Sequence, residues 1–198
     1  VGPALLRIDL RIDLPHFDVI KAMPIRGRQL LLGEVLATTL FLWAIQLALL
    51  AAGLLLTPSF GSHELSGAQR WAMFVGGGLL LGAFDFAITT IQNALTLWFP
   101  GFMRVGRAAA RGGVDQMGQN LIGSFINVFG YAAILAIPGA LGFLAGYLIG
   151  PWAGLGPAVL TGGLLTSTGL VLEGALVMIA VERRYDRFDL TSEHLASE

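Results

Sequence analysis

Residues 116–172 read QMGQNLIGSFINVFGYAAILAIPGALGFLAGYLIGPWAGLGPAVLTGGLLTSTGLVL and contain no Asp, Glu, Lys or Arg. A helix needs about 20 mostly apolar residues to cross a hydrocarbon layer about 30 Å thick. The run is therefore long enough for two membrane-spanning helices with a turn between them. A second run without Asp, Glu, Lys or Arg extends from Val35 to His63, and it predicts a further span.

The composition of the whole chain also indicates a membrane protein. Of its 198 residues, 55% are hydrophobic and only 13% are charged, whereas a typical soluble domain has about 25% charged residues. We therefore predict an all-α membrane protein, a polytopic bundle of four transmembrane helices with short cytoplasmic helices. The predicted spans cover residues of about 29–56, 71–99, 119–149 and 152–181.

Three prolines predict where these helices end or bend. Pro100 follows the second span, and Pro151 falls between the third and the fourth, where helix breaks are expected. Pro138 lies in the middle of the third span and removes one backbone hydrogen bond, which predicts a kink.

The basic residues predict which ends of the spans face the cytoplasm. Eleven of the twelve Lys and Arg residues lie before the first span, between the second and the third, or after the fourth. The positive-inside rule places these three segments in the cytoplasm. We therefore expect a protein integral to the plasma (inner) membrane, with both chain ends, the loop 100–118 and the tail 182–198 on the cytoplasmic side.

Residues 1–28 form a charged segment before the four-helix region 29–198. Residues 6–14 read LRIDLRIDL, so an extended chain would carry all four charged side chains on one face. Asp13 can cap a short helix that ends before Pro24. The segment is either a solvated linker along the membrane or a docking element for another protein.

Three carboxylates fall inside the predicted spans: Glu34 near the cytoplasmic start of the first, Asp85 midway along the second and Glu173 in the fourth. A carboxylate at the centre of a bilayer costs about 2.5–3.5 kcal/mol, so Asp85 and Glu173 should face other helices or a wet cavity. Gln92 and Asn93 follow Asp85 by about two helical turns and would extend a polar stripe. These residues either line a translocation pathway or bind helices together.

We expect Glu173 to lie nearer the cytoplasm than Asp85. Glu34 and Glu173 could each form an ion pair with Arg28, Arg111 or Arg183 near the interface.

Small residues predict close helix packing in the third span. Gly142, Gly146 and Gly150 recur every four residues and would form one smooth helix face.

The sequence carries no motif for an enzyme, a metal site or a cofactor site. It has no cysteine and no G-x-x-x-x-G-K-[ST] phosphate-binding loop, and its three histidines are far apart. The net charge of −1 predicts no nucleic-acid partner. We therefore predict no catalytic, cofactor-binding or metal-binding residues in this chain.

The stretch RIDLRIDLPHFDVIKAMPIRGRQLLLGEVLA (7–37) resembles the cytoplasmic segment and first span of permease subunits of ATP-binding-cassette exporters. The stretches QNALTLWFPGF (92–102), DQMGQN (115–120) and ERRYDRFDL (182–190) are also similar to that family. Ile20-Lys21-Ala22-Met23-Pro24 departs slightly from the Leu-Lys-Thr-Leu-Pro step of the family.

The resemblance implies the C-terminal portion of a membrane permease whose N-terminal portion is missing here. ATP would be bound by a separate ATPase subunit. Under this interpretation, that subunit would dock on charged residues of the first segment: Arg7, Asp9, Arg11, Asp13 and Lys21.

The sequence therefore predicts a permease subunit that couples ATP hydrolysis by a partner to movement of a substrate. Its expected partners are the ATPase subunit, membrane lipid and a second permease copy. Two alternatives stay open: a secondary transporter or channel that uses Asp85, and a membrane assembly protein that transports nothing.

Overall fold

The computed structural model describes residues 27–57, 59–60, 63–98 and 114–187. Four helices account for nearly all of them: α1 Gly27–Leu56, α2 Gly67–Trp98, α3 Val114–Ala153 and α4 Leu155–Arg187. The loop between α1 and α2 holds a two-residue antiparallel pair, β1 Ser59–Phe60 and β2 His63–Glu64. The predicted all-α bundle of four long helices is confirmed. The short helices expected before the first span fall outside the described residues.

All four helices are long and apolar enough to span a membrane. The chain is therefore a membrane protein. Two helices extend well past their predicted spans, since α3 begins at Val114 and α4 continues to Arg187.

The turn between α3 and α4 differs from the prediction. Pro151 does not end α3, which continues through it to Ala153. The break comes at Gly154, which has a φ of +83°, and its amide N–H donates to the Gly150 carbonyl at 2.9 Å. A left-handed glycine of this kind reverses the chain without a side-chain clash, whereas a proline in the last turn removes only one hydrogen bond. Pro138 lies inside α3, which is continuous through it, and the kink expected there stays a prediction.

The helix α2 begins with a reciprocal cap. The Ser66 amide donates to Gln69 Oε1 at 2.9 Å, and the Gln69 amide donates to Ser66 Oγ at 3.2 Å. This arrangement satisfies two backbone donors that the first turn would otherwise leave without partners.

The helices α2 and α4 are the central pair and run in the same direction. Gly76 of α2 lies against Val159 of α4, and further along Phe86 lies against Gly174. The helix α1 packs antiparallel on the other side of α2, while α3 packs antiparallel on α4. We call the end of the bundle at Gly27, Trp98, Val114 and Arg187 the basic end, and the opposite end the hairpin end.

Apolar side chains are distributed as lipid contact would require. Large apolar residues of α1 and α3 are exposed on the outside of the bundle, among them Phe41, Leu49, Phe143 and Tyr147. Two small apolar clusters hold the interior together. The first joins α1, α2 and α4 near the basic end, and its buried members are Leu31, Val35, Ala94, Met178 and Val181. The second lies between α2 and α4 nearer the middle, and its buried members are Ala83, Ala87 and Leu170.

Candidate functional site: a polar core around Asp85

The most deeply buried stretch of α2 is also its most polar. Asp85, Thr89, Thr90 and Asn93 are each at most 3% exposed. They are buried because α2 is central, with α1 on one side, α4 on another and the first part of α3 nearby. The bundle therefore turns polar residues inward and apolar residues outward.

Asp85 lies near the middle of α2. At 1.5 Å per residue it is about 27 Å along the axis from Gly67 and about 20 Å from Trp98. Gln46 of α1 donates from Nε2 to Asp85 Oδ1 at 3.2 Å. The other carboxylate oxygen, Oδ2, is buried and has no hydrogen-bond partner among the described residues.

Three further oxygens near this pair lack hydrogen-bond partners in the described part of the chain: Thr39 Oγ1, Gln46 Oε1 and Thr89 Oγ1. Thr39 and Gln46 are seven residues apart, so they share a face of α1. On α2, Gly78 and Gly82 contact α1, and Asp85 and Thr89 continue this row toward the basic end. We call these four residues, Thr39, Gln46, Asp85 and Thr89, the Asp85 cluster.

Trp43 of α1 packs on α2 between Asp85 and the hairpin end. Its indole Nε1 donates to the Gly78 carbonyl at 2.6 Å. The ring lies flat against Gly82, where an added Cβ would come within 2.9 Å of Nε1. Gly82 is one helical turn from Asp85, so the glycine is what allows the indole to lie there.

Nearer the basic end, α2 makes a polar contact with α3. Gln92 Nε2 donates to the Tyr131 hydroxyl at 2.8 Å, and the Tyr131 ring meets Phe84 edge to face at 6.4 Å. Gln92 therefore faces α3, whereas the adjacent Asn93 is 1% exposed on another side of α2. The predicted stripe of Asp85, Gln92 and Asn93 is thus divided between two helix contacts.

Glu173 lies deeper in the bundle than the sequence predicted. Its neighbour Gly174 packs against Phe86 and Ala87, so Glu173 and Asp85 lie at nearly the same level. An ion pair with Arg183 is not formed, because ten residues of helix separate them by about 15 Å. Glu173 makes no ion pair with any residue that the structure describes.

Helix periodicity shows which way Glu173 faces. Gly162, Thr166 and Gly169 of α4 contact α3, and Glu173 continues this row four residues further on. It is only partly buried there. A carboxylate at this depth needs protein or water beside it rather than lipid.

The glycines of α3 make contacts of graded closeness with α4. A Cβ at Gly142 would collide with Thr166 Oγ1 and lie 2.5 Å from the Gly162 carbonyl oxygen. A Cβ at Gly146 would lie 3.0 Å from the Ala158 carbonyl oxygen, and one at Gly150 would make an ordinary contact at 3.8 Å. The helices therefore approach most closely at Gly142.

The expected docking residues Arg7, Asp9, Arg11, Asp13 and Lys21 lie outside the described residues. Sequence reasoning missed Gln46, Thr39, Thr89 and Tyr131. Gln46 had a detectable signal, since it is the only carboxamide in the uncharged run 35–63. Tyr131 had none, because its role depends on which helices pack together.

No group of three or more His, Cys, Asp or Glu side chains that could hold a metal ion occurs within residues 27–57, 63–98 and 114–187. Comparison of the chain with protein-family models, with curated proteins and with solved structures finds no match.

Proposed function

We propose that the chain is the membrane-spanning permease subunit of an ATP-driven exporter, and that the polar core around Asp85 forms part of the substrate pathway. The observation that supports transport most strongly is the buried Asp85 at mid-depth of the bundle, one oxygen of which has no partner in the part of the chain that the structure describes. A membrane protein that needed only stability would be expected to place apolar or hydrogen-bonded residues there.

The proposal of a separate ATPase rests on the sequence. The doubled Arg-x-Asp unit of residues 7–13 and the motifs that follow it resemble exporter permeases, and no phosphate-binding loop occurs in this chain. Energy would therefore come from a partner that binds ATP and docks on the segment before α1.

The proposed orientation places the basic end of the bundle in the cytoplasm of a cell bounded by the plasma (inner) membrane. The distribution of Lys and Arg supports it. The docking segment and the loop between α2 and α3 would then lie on the side where ATP is available.

The test is co-purification of the ATPase with the full-length protein from native membranes. The double variant Arg11→Asp/Asp13→Arg exchanges two charges at constant net charge, and we expect it to reduce ATPase recovery at least about tenfold, the equivalent of about 1.4 kcal/mol. Arg70→Gln, near the hairpin end, is the matched control and should leave recovery unchanged. Equal recovery of the ATPase with both variants would contradict the docking role.

A secondary transporter or channel is the second candidate, and the same buried carboxylate favours it. Asp85 would then bind or release the coupling ion without any ATPase. Transport by the purified protein in vesicles that lack nucleotide would support this candidate over the exporter. If neither preparation transports anything, the assembly-protein alternative gains support.

A further inference from the structure

We propose that the ligand of the polar core is a cation, a conclusion that rests on the proposed transport function. The charges of the membrane interior carry this inference first. No Lys or Arg occurs in residues 29–69, 71–103 or 112–182, whereas Asp85 and Glu173 both lie within these ranges at nearly the same depth. These ranges therefore place carboxylates, and no Lys or Arg, along the described middle of the bundle.

The bases at the ends of the helices are too far away to neutralise Asp85. Arg70 is fifteen residues from Asp85 along α2, which is about 22 Å. On α1, Arg28 is fifteen residues, or about 22 Å, from Trp43. Trp43 packs against Gly82, which is one turn from Asp85. An arginine side chain spans only a fraction of that distance, so the negative charge lacks a counterion from the described chain.

The hydrogen-bonding groups of the site also favour a positively charged ligand. Asp85 is 3% exposed, and its Oδ2 has no partner among the described residues. Within the described ranges Gln46 Oε1 also lacks a partner, while one N–H of its Nε2 donates to Asp85. Gln92 Nε2 already donates to the Tyr131 hydroxyl of α3. Asp85 Oδ2 and Gln46 Oε1 can only accept, and the hydroxyls of Thr39 and Thr89 can accept as well, which suits a cation.

Aromatic rings complete the surroundings of the site. Trp43 packs against Gly82, one turn before Asp85 on α2, and Tyr131 packs edge to face on Phe84, the residue before Asp85. The faces of such rings attract cations, most strongly in a site from which water is excluded. We therefore assign the site to an organic cation, whose charge would meet the carboxylates and whose apolar body would meet the rings.

Binding of two isosteric probes of opposite charge tests the sign. The full-length protein in nanodiscs of zwitterionic lipid would be titrated with tetraphenylphosphonium and with tetraphenylborate, and binding to empty nanodiscs would be subtracted. We expect saturable binding of the cation alone. Saturable binding of the anion with equal or higher affinity would overturn the proposal.

Variants locate the site. Asp85→Asn should weaken tetraphenylphosphonium binding at least about tenfold, and Glu173→Gln should weaken it less. Gln46→Glu, which is isosteric and adds a negative charge beside Asp85, should strengthen binding, an outcome that misfolding cannot imitate. Thr168→Val is the control, because Thr168 is exposed and its hydroxyl donates to its own helix at Leu164. Unchanged affinity in both Asp85→Asn and Gln46→Glu would contradict the assignment.

This experiment needs no ATPase, so its outcome is separate from that of the co-purification test. Cation binding without ATPase recovery would retain the cation site and favour the secondary transporter. ATPase recovery with selective anion binding would retain the exporter and refute the cation.

Discussion

Asp85 shows how a single residue limits which side of a membrane helix can face lipid. A carboxylate at mid-bilayer costs about 2.5–3.5 kcal/mol, and each Leu, Ile or Phe of the same helix returns about 0.3–0.6 kcal/mol on insertion. The helix α2 can therefore insert, but it cannot present Asp85 to lipid. Its central place, with Gln46 of α1 donating to the carboxylate, is consistent with that requirement.

Gly82→Ala tests the packing of Trp43 on α2. The new Cβ would lie 2.9 Å from Trp43 Nε1, so the indole must shift and its hydrogen bond to the Gly78 carbonyl should be lost. We expect a loss of about 1–3 kcal/mol in the free energy of unfolding, as is typical of overpacked sites. Unfolding in mixed detergent micelles, followed by tryptophan fluorescence, would measure it.

The matched control is Gly53→Ala in α1, where an added Cβ meets nothing within 4 Å. It should be neutral or slightly stabilising, because alanine favours helix more than glycine does. Equal destabilisation by Gly53→Ala and Gly82→Ala would contradict the specific role of Trp43.

The hydrogen bond between Gln92 and Tyr131 should contribute a modest coupling energy between α2 and α3. Hydrogen bonds between membrane helices average about 0.6 kcal/mol. We expect a double-mutant cycle of Gln92→Leu and Tyr131→Phe to give a value near that average, measured by the same unfolding assay. A coupling energy indistinguishable from zero would mean that the two side chains do not interact.

At the scale of helices, the contact between α3 and α4 depends on glycine at some positions of a repeat and not at others. Gly142 faces the Gly162 carbonyl and Thr166, whereas Gly150 makes only an ordinary contact with Ala158. The four-residue spacing alone does not distinguish these positions. The difference arises because Gly142 lies against a backbone carbonyl and the Thr166 side chain, whereas Gly150 meets only the Ala158 Cβ.

Gly142→Ala should therefore destabilise the bundle more than Gly150→Ala does. The Cβ at position 142 would collide with Thr166 and force the helices apart, at a cost of about 1–3 kcal/mol or more. The change at position 150 should cost less than about 0.5 kcal/mol. Unfolding free energies of the two variants are the measurement, and equal losses would refute the graded contact.

The sequence predicted the helices well and their ends less well. Long uncharged runs show where a helix can cross hydrocarbon, so residues 35–63 and 116–172 predicted three of the four spans. The second span, 71–99, was predicted from its apolar residues although it contains Asp85. The residue at which α3 ends was not predicted correctly, because proline breaks helices more strongly than glycine on average and Pro151 was expected to do so. In this chain the left-handed conformation of Gly154 ends α3 instead.

For the whole molecule, the order of packing was the part that the sequence could not predict. Hydropathy shows that a helix is apolar, but it does not show that α2 and α4 form the central pair with α1 and α3 outside them. Asp85 was identified as a buried carboxylate, whereas its partner Gln46 and the depth of Glu173 depend on how the helices align. The acidic character of the interior became visible only when both carboxylates were placed at one level.

The central claim is a four-span bundle whose basic end lies in the cytoplasm. Because the chain has no cysteine, single cysteines introduced as Glu64→Cys near the hairpin end and Gly106→Cys between α2 and α3 report on each side without background. We predict that a membrane-impermeant maleimide labels Glu64→Cys in intact cells and labels Gly106→Cys only after the membrane is opened. Labelling of Gly106→Cys in intact cells, with Glu64→Cys protected, would contradict the claim.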